Sequence, residues 1–500
     1  MKKIILPLCL ALSYVSGADD SLKQEVEALK AQMAELKNAQ SKINIDALKA
    51  QISEVKAHDA NDNIKWSVDL RTSYDAVDYK VNKSANMMGA VAQDERNGIW
   101  TNKLILGMAA QPADNLVFKG SLGAYKAFGQ TNMATNGTMF QSFDWYGTQK
   151  PSDSAIKLRE AYFLYFGNMG DMPYTASFGR RPSVDGFLTN LRADNENPAS
   201  PIGHNINMEF DGASFKFDLD KLTGISGMYV KLCLGRGFSE TRGSYSMSST
   251  GGFNSSYSED GDTPNMDLAG LIWQIYDNGQ YKVMANYFKG FNMMDINVYD
   301  VQLISSASGT TYQNPLFKFS DVGDLTGGAL SLQVNGIGDG ISDFLDDSIF
   351  FVSYAFSKTD PNNSVLGTTS ASKVGGMLGS TDSEIGSSIY TGIQIPSFFE
   401  GHRLGLEYNH GSKYWRSFTY GEDTLVGSKL AARGDAYEIY YTLPLVGKNL
   451  TAQLSYLYID YDYTGSDTFF GWTGTPQDVN KATGAVQSAQ NVRASLRYRY

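Results

Sequence analysis

The residues with the clearest chemical potential in this 500-residue chain are arginines placed at every second position of short alternating segments. In the last nine residues Arg493, Arg497 and Arg499 share one side with Ser495, while Val492, Ala494, Leu496, Tyr498 and Tyr500 hold the other. Arg71 stands with Ser67, Asp69, Ser73 and Asp75 opposite Trp66, Val68, Leu70, Thr72 and Tyr74. Arg403, with Glu407 and Asn409, faces away from Leu404, Leu406 and Tyr408, and Arg181 takes the polar side of segment 174–182. A guanidinium stays charged at any physiological pH and moves no proton. The chemistry available to such residues is electrostatic: ordering water, gripping carboxylates, and sorting solutes by charge and size.

Bond-making chemistry has little to work with. The four histidines, His58, His204, His402 and His410, lack metal-ligand spacing, and no G-x-S-x-G nucleophile elbow occurs. There is no C-x-x-C-H haem attachment motif. Asp59, Asn61 and Asn63 begin like a calcium loop, but Ile64 stands where its glycine belongs. Asp339, Asp343, Asp346 and Asp347 read as a solvated turn. The chain is therefore expected to be no enzyme and to hold no cofactor or metal. Its formal charge of −11 disfavours nucleic acid as a partner.

Residues 1–18 read as a signal peptide: Lys2 and Lys3, an apolar run from Ile4 to Val15, then Ser16-Gly17-Ala18. Cleavage there removes two lysines, so the charge becomes 40 − 53 = −13, and leaves Cys233 as the one cysteine. From 19 to 58 the pattern turns helical. Leu22, Val26, Leu29, Met33, Leu36 and Ile43 alternate spacings of four and three, with Gln40 in the polar slot. That narrow seam, flanked by lysines every seventh residue, predicts a self-associating coiled coil. A polar linker covers 59–65.

The positioning elements begin at Trp66. Alternating segments are expected at 66–78, 99–110, 115–128, 154–166, 174–182, 207–219, 227–239, 266–276 and 281–291. They continue at 325–335, 347–358, 384–395, 402–414, 435–446, 450–462 and 489–500. The connections between them alternate long and short, and short ones carry turn residues such as Asp277-Asn278-Gly279. No stretch after the N-terminus has the roughly 18 apolar residues of a membrane helix. The pattern predicts an all-β transmembrane antiparallel β-barrel of about sixteen strands (14–18 in range) over 66–500, preceded by the α-helical coiled coil.

The terminal strand ends on an aromatic residue with Val492, Ala494, Leu496, Tyr498 and Tyr500 on one face. It resembles the signature by which bacterial outer-membrane barrels are recognised by the barrel assembly machinery. From Trp66 to Tyr500 the chain is thus similar to the porin superfamily. More narrowly, the coiled coil and the run Phe178-Gly179-Arg180-Arg181-Pro182 to Asn195 resemble an uncharacterised porin-like family, a domain of unknown function.

This resemblance implies a channel in outer-membrane lipid for passive diffusion of ions and small hydrophilic solutes, with the coiled coil in the periplasm and a trimer as the oligomer. It also implies that the third external loop, 183–206, folds inward. Its Asp185, Arg192, Asp194 and Glu196 would then face a basic wall of Arg71, Arg181, Arg403, Arg493 and Arg497 across a constriction. The alternatives are a barrel anchoring a coiled-coil tether to the cell wall, and a sheath for a partner electron-transfer protein. A trimeric autotransporter fails on length, because it contributes only a few strands per chain.

Overall fold

The computed structural model describes residues 64–500 apart from 84–93, 130–147, 240, 248–252, 259–264, 306–310, 339, 364–375, 467–468 and 470–474. The expected signal peptide, the coiled coil and most of the linker lie outside the described residues, as does Asp339.

In chain order the strands are β1 (Lys65–Val81), β2 (Glu95–Ala113), β3 (Leu116–Ala127), β4 (Lys157–Met169) and β5 (Met172–Arg181). Next come β6 (Gly186–Phe187), β7 (Ala199–Ile202), β8 (Phe210–Asp218), β9 (Tyr229–Phe238), β10 (Arg242–Met247) and β11 (Phe253–Ser258). Then follow β12 (Met266–Asp277), β13 (Tyr281–Ser305), β14 (Thr311–Asn335), β15 (Ile349–Pro361) and β16 (Ile385–Pro396). The last are β17 (Arg403–Gly411), β18 (Gly434–Val446), β19 (Leu450–Tyr461) and β20 (Val486–Arg499).

Sixteen of these close one barrel; β6–β7 and β10–β11 pair separately. Each barrel strand overlaps one of the sixteen expected segments. Closure comes from β1, which pairs with β2 on one side and β20 on the other, so no edge is left with unpaired backbone groups. The tight turns follow local chemistry. At Asp277-Asn278-Gly279, Gly279 takes φ +91°, and the Asn278 side chain accepts from the amide of Tyr281 at 2.7 Å.

Two differences from the sequence expectation concern length. The β13 and β14 strands continue well past 291 and begin well before 325, as one long hairpin. Register shifts between Gly290 and Met294, with Asn292 at φ +54° and Gly323 at φ +125°, break the alternation while the pairing carries on. The β10–β11 hairpin falls in a stretch expected to be loop, where serines and glycines hide any strand pattern.

Alternation sets two chemically opposite faces. Leu70, Tyr74, Leu330, Tyr354, Leu454, Val492, Leu496 and Tyr498 are exposed on the outside, while Ser73, Asp75, Asn491 and Arg493 are buried inside. This inverts the arrangement of a protein dissolved in water.

The core therefore sits in the lumen. Two long connections enter it: the third, 182–209 (L3), and the seventh, 412–433 (L7). Phe187, Leu188 and Ile202 of L3 pack with Trp415 and Leu430 of L7 against Ile272, Met284, Phe351 and Tyr390 of the wall. A second cluster joins Met208 and Phe418 to Phe288 and Met293, and a third sets Val426 against Val77 and Ile459. The loops also zip together: the amide of Asn207 donates to the carbonyl of Phe418 at 2.8 Å, and the amide of Phe418 to that of Asn205 at 2.9 Å. Close approach requires glycine at Gly386, where a Cβ would lie 2.3 Å from the Trp415 nitrogen.

Trp415 is fully buried, with its indole N–H on the carbonyl of Leu430 at 2.7 Å. Trp415→Ala is expected to destabilise the barrel by about 3–5 kcal/mol, read as a lower urea midpoint in detergent. Trp273→Ala, on the outer face, is expected to change the midpoint far less. Equal effects of the two would contradict the packing of L7 inside the barrel.

Candidate functional site

Between the two loops and one side of the wall lies a polar cavity of about 100 Å³. Its lining comes from β1, β2, β4, β18, β19 and β20, together with L3 and L7. Along β20 it runs from Asn491 to Arg499. That is roughly 26 Å of strand, or about 20 Å along the axis at an ordinary tilt of about 40°.

Seven lining residues are cationic (Arg71, Lys103, Arg159, Arg192, Arg493, Arg497 and Arg499) and five acidic (Asp69, Asp185, Asp194, Asp423 and Glu438). Alternation explains the strand members: inward positions two apart along β1 and β20 present their side chains to the same space. Neutral polar neighbours such as Thr451, Gln453, Ser455 and Ser495 keep the surface wettable.

The charges meet in contact rather than across open water. Arg71 grips Asp423 of L7 with two N–H···O bonds of 2.8 and 3.0 Å, and Lys103 reaches the same carboxylate at 2.7 Å. Arg493 donates to Asp75 at 2.6 Å and to the Asp423 carbonyl at 3.0 Å. From L3, Arg192 pairs with Glu422 at 3.0 Å and lies 3.6 Å from Glu438. Arg497 holds Asp69 at 2.8 Å and the Ala193 carbonyl at 2.6 Å, and Arg499 pairs with Asp194. The arginines of the wall thus staple both loops in place. Burial alone would raise the Asp423 carboxyl, but Arg71, Lys103 and Arg493 outweigh it and hold it well below the usual carboxylate range.

Beside the cavity, Lys429 of L7 bonds both Glu407 and Glu438, which face each other across β17 and β18. Its ammonium separates two buried like charges. On the far side His204 of L3 sits between Ser353 and Ser388 hydroxyls at 2.8 and 2.9 Å, against the rings of Tyr390 and Trp415. Burial lowers its pKa to about 3, so it serves as a neutral wedge.

Of the nine residues expected at a constriction, the structure brings six to the cavity: Arg71, Asp185, Arg192, Asp194, Arg493 and Arg497. The other three lie elsewhere. Arg181 covers the Tyr162 ring at 5.4 Å and lines a separate, apolar pocket with Cys233 and Phe288. Glu196 is exposed and pairs with Lys448, and Arg403 donates to the Asp347 carbonyl at 3.2 Å, at the rim of the short turns.

The sequence expectation missed L7 and with it Asp423, Glu422 and Lys429, along with Lys103, Arg159 and Glu438; it put Arg499 on the polar face of the last strand but left it out of the constriction. A signal was present: Trp415, Phe418, Tyr420, Val426, Leu430, Ala431 and Ala432 make 412–433 too apolar for a loop in water.

A family model described as "Protein of unknown function (DUF3373)" matches residues 93–500. No curated protein matches the chain. Among solved structures, OprB of Pseudomonas putida at high pH superposes with a TM-score of 0.44 and 12% identity, covering 88% of this chain and 94% of that one. The OmpF complex with daunomycin from Salmonella typhi gives 0.43 and 10%, over 89% of this chain and all of that one (100%). An anion-selective porin from Comamonas acidovorans gives 0.42 and 12%, over 87% and 99%.

Removing the Lys429 charge leaves Glu407 and Glu438 buried and opposed. Lys429→Met is expected to destabilise the barrel by about 3–5 kcal/mol, measured by chemical denaturation. Combining it with Glu407→Gln and Glu438→Gln is expected to recover most of the loss. A single variant as stable as the parent would contradict the buried triad.

Proposed function

We propose that this chain, which belongs to the DUF3373 family, is an outer-membrane diffusion channel of narrow bore. Ions and small hydrophilic solutes cross it by the charged passage beside L3 and L7. The observation that carries this reading is the cavity itself. It is polar, lined by alternating charges, and extends along most of the height of the outer apolar belt, whose height is about 25 Å in barrels of this kind.

The belt of exposed Leu, Val, Tyr and Trp side chains supports a lipid surround, because only a closed barrel satisfies every backbone group there. An interior of sixteen strands ordinarily holds an aqueous channel. Here the loop packing reduces that space to a side passage, so the expected traffic is ions and solutes a few atoms across.

The occupied lumen weighs against a sheath for an electron-transfer partner, which would need that space. The same proposal includes the periplasmic coiled coil of 19–58, trimeric assembly through it, and recognition of Val492, Ala494, Leu496, Tyr498 and Tyr500 by the barrel assembly machinery. Whether the coiled coil also contacts the cell wall is an added role that this reading does not require.

Planar-bilayer recording of detergent-extracted protein tests the channel. The parent is expected to give small, stable conductance steps. Replacing 415–430 with a short polar linker is expected to enlarge them several-fold, since L7 then leaves the lumen. Silence from a folded barrel in both forms would refute the channel; unchanged steps after the replacement would refute the side passage.

A further inference from the structure

Lys103, Arg71 and Arg497 stand side by side on adjacent strands. Arg71 is the direct cross-strand partner of Lys103 on β2 and of Arg497 on β20. Like charges directly opposite one another are destabilising, so a row of three inward cations calls for anions. Asp69, two residues from Arg71, answers Arg497. The rest of the row is answered by a single carboxylate that belongs to a loop.

That carboxylate, Asp423, meets an unusually full set of donors. Arg71 supplies its fork at 2.8 and 3.0 Å, Lys103 its ammonium at 2.7 Å, and Tyr125 its hydroxyl at 3.3 Å. Arg493 stands 3.5 Å away while holding Asp75. A planar guanidinium fork with an added ammonium and hydroxyl is the donor set by which proteins grip carboxylates and phosphates from solution. All four donors project from barrel strands, β1, β2, β3 and β20, whereas the acceptor arrives on L7. The adjoining cavity of about 100 Å³ far exceeds the roughly 10–15 Å³ that one water needs.

We propose that Arg71, Lys103, Tyr125 and Arg493 form an oxyanion-binding step, occupied at rest by the Asp423 carboxylate, which an incoming carboxylate or phosphate displaces. Its place in transport rests on the channel reading above; the binding itself does not. Exchanging one carboxylate for another keeps the Arg71 fork and the Lys103 ammonium paired. The resident acid also keeps the row from trapping a solute too tightly to leave, as conduction through a binding site demands.

The test uses the full chain in detergent with two variants, Asp423→Ala and Asp423→Asn, the second preserving the shape of L7. Inorganic phosphate and acetate are titrated by calorimetry. Both variants are expected to bind one or both anions at least ten-fold more tightly than the parent, and adding Arg71→Gln is expected to abolish the gain. Preference for acetate or phosphate then distinguishes a carboxylate solute from a phosphorylated one. Binding no tighter than the parent in either variant overturns the proposal. Reversal potentials under a salt gradient separate the two readings. A shift toward anions in the Asp423 variants supports both. Conduction with neither shift nor binding sinks the cradle alone, while anion binding without conduction by any form sinks the channel alone.

Discussion

A closed barrel of sixteen strands encloses more space than its own inward side chains can fill. The backbone accepts this because closure leaves no unpaired edge, and the outer face is apolar. The interior is then a polar shell around a void that must hold water or chain. In this protein, chain supplies much of the filling. L3 and L7 bring Phe187, Leu188, Trp415 and Phe418 into the centre, where each finds apolar partners among the inward residues of the wall.

That filling explains how the many charges of the barrel interior find partners. The inward faces of β1, β2 and β20 carry rows of cations, and those of β17 and β18 carry opposed acids. Neither would be comfortable alone. L7 answers both, with Asp423 toward the cations and Lys429 toward the acids. L3 adds Arg192 and Asp194 at the seam between them. Breaking one partner of such a buried pair typically loses about 3–5 kcal/mol. The ion pairs therefore fix where the loops sit, while the apolar clusters supply the drive to enter. The polar cavity lies in the gap left between these loops and one side of the wall.

Much of the fold was legible in sequence because period-two alternation is a local property. Trp66 to Asp75 and Val492 to Tyr500 display it without interruption, and the expected segments fall on the observed strands. It faded where bulges interrupt alternation, as at Asn292 to Met294. The wall half of the site was legible for the same reason, since inward arginines follow from strand parity. The loop half was not. Nothing in the order of residues says that Asp423 meets Arg71, a contact across 352 positions. Parity also misplaced Arg181 with respect to the cavity. It faces inward, but on the side where Pro182 and Ile206 of L3 meet Phe288 of the wall.

The central claim is that L3 and L7 are parts of the barrel's core. Native-state hydrogen exchange of the purified protein tests it most directly, because protection reports buried, hydrogen-bonded backbone. Amides of Asn205 to Glu209 and Trp415 to Arg433 are predicted to exchange as slowly as those of the strands that surround them. Exchange as fast as that of residues 221–226, an exposed turn between β8 and β9, would contradict the account.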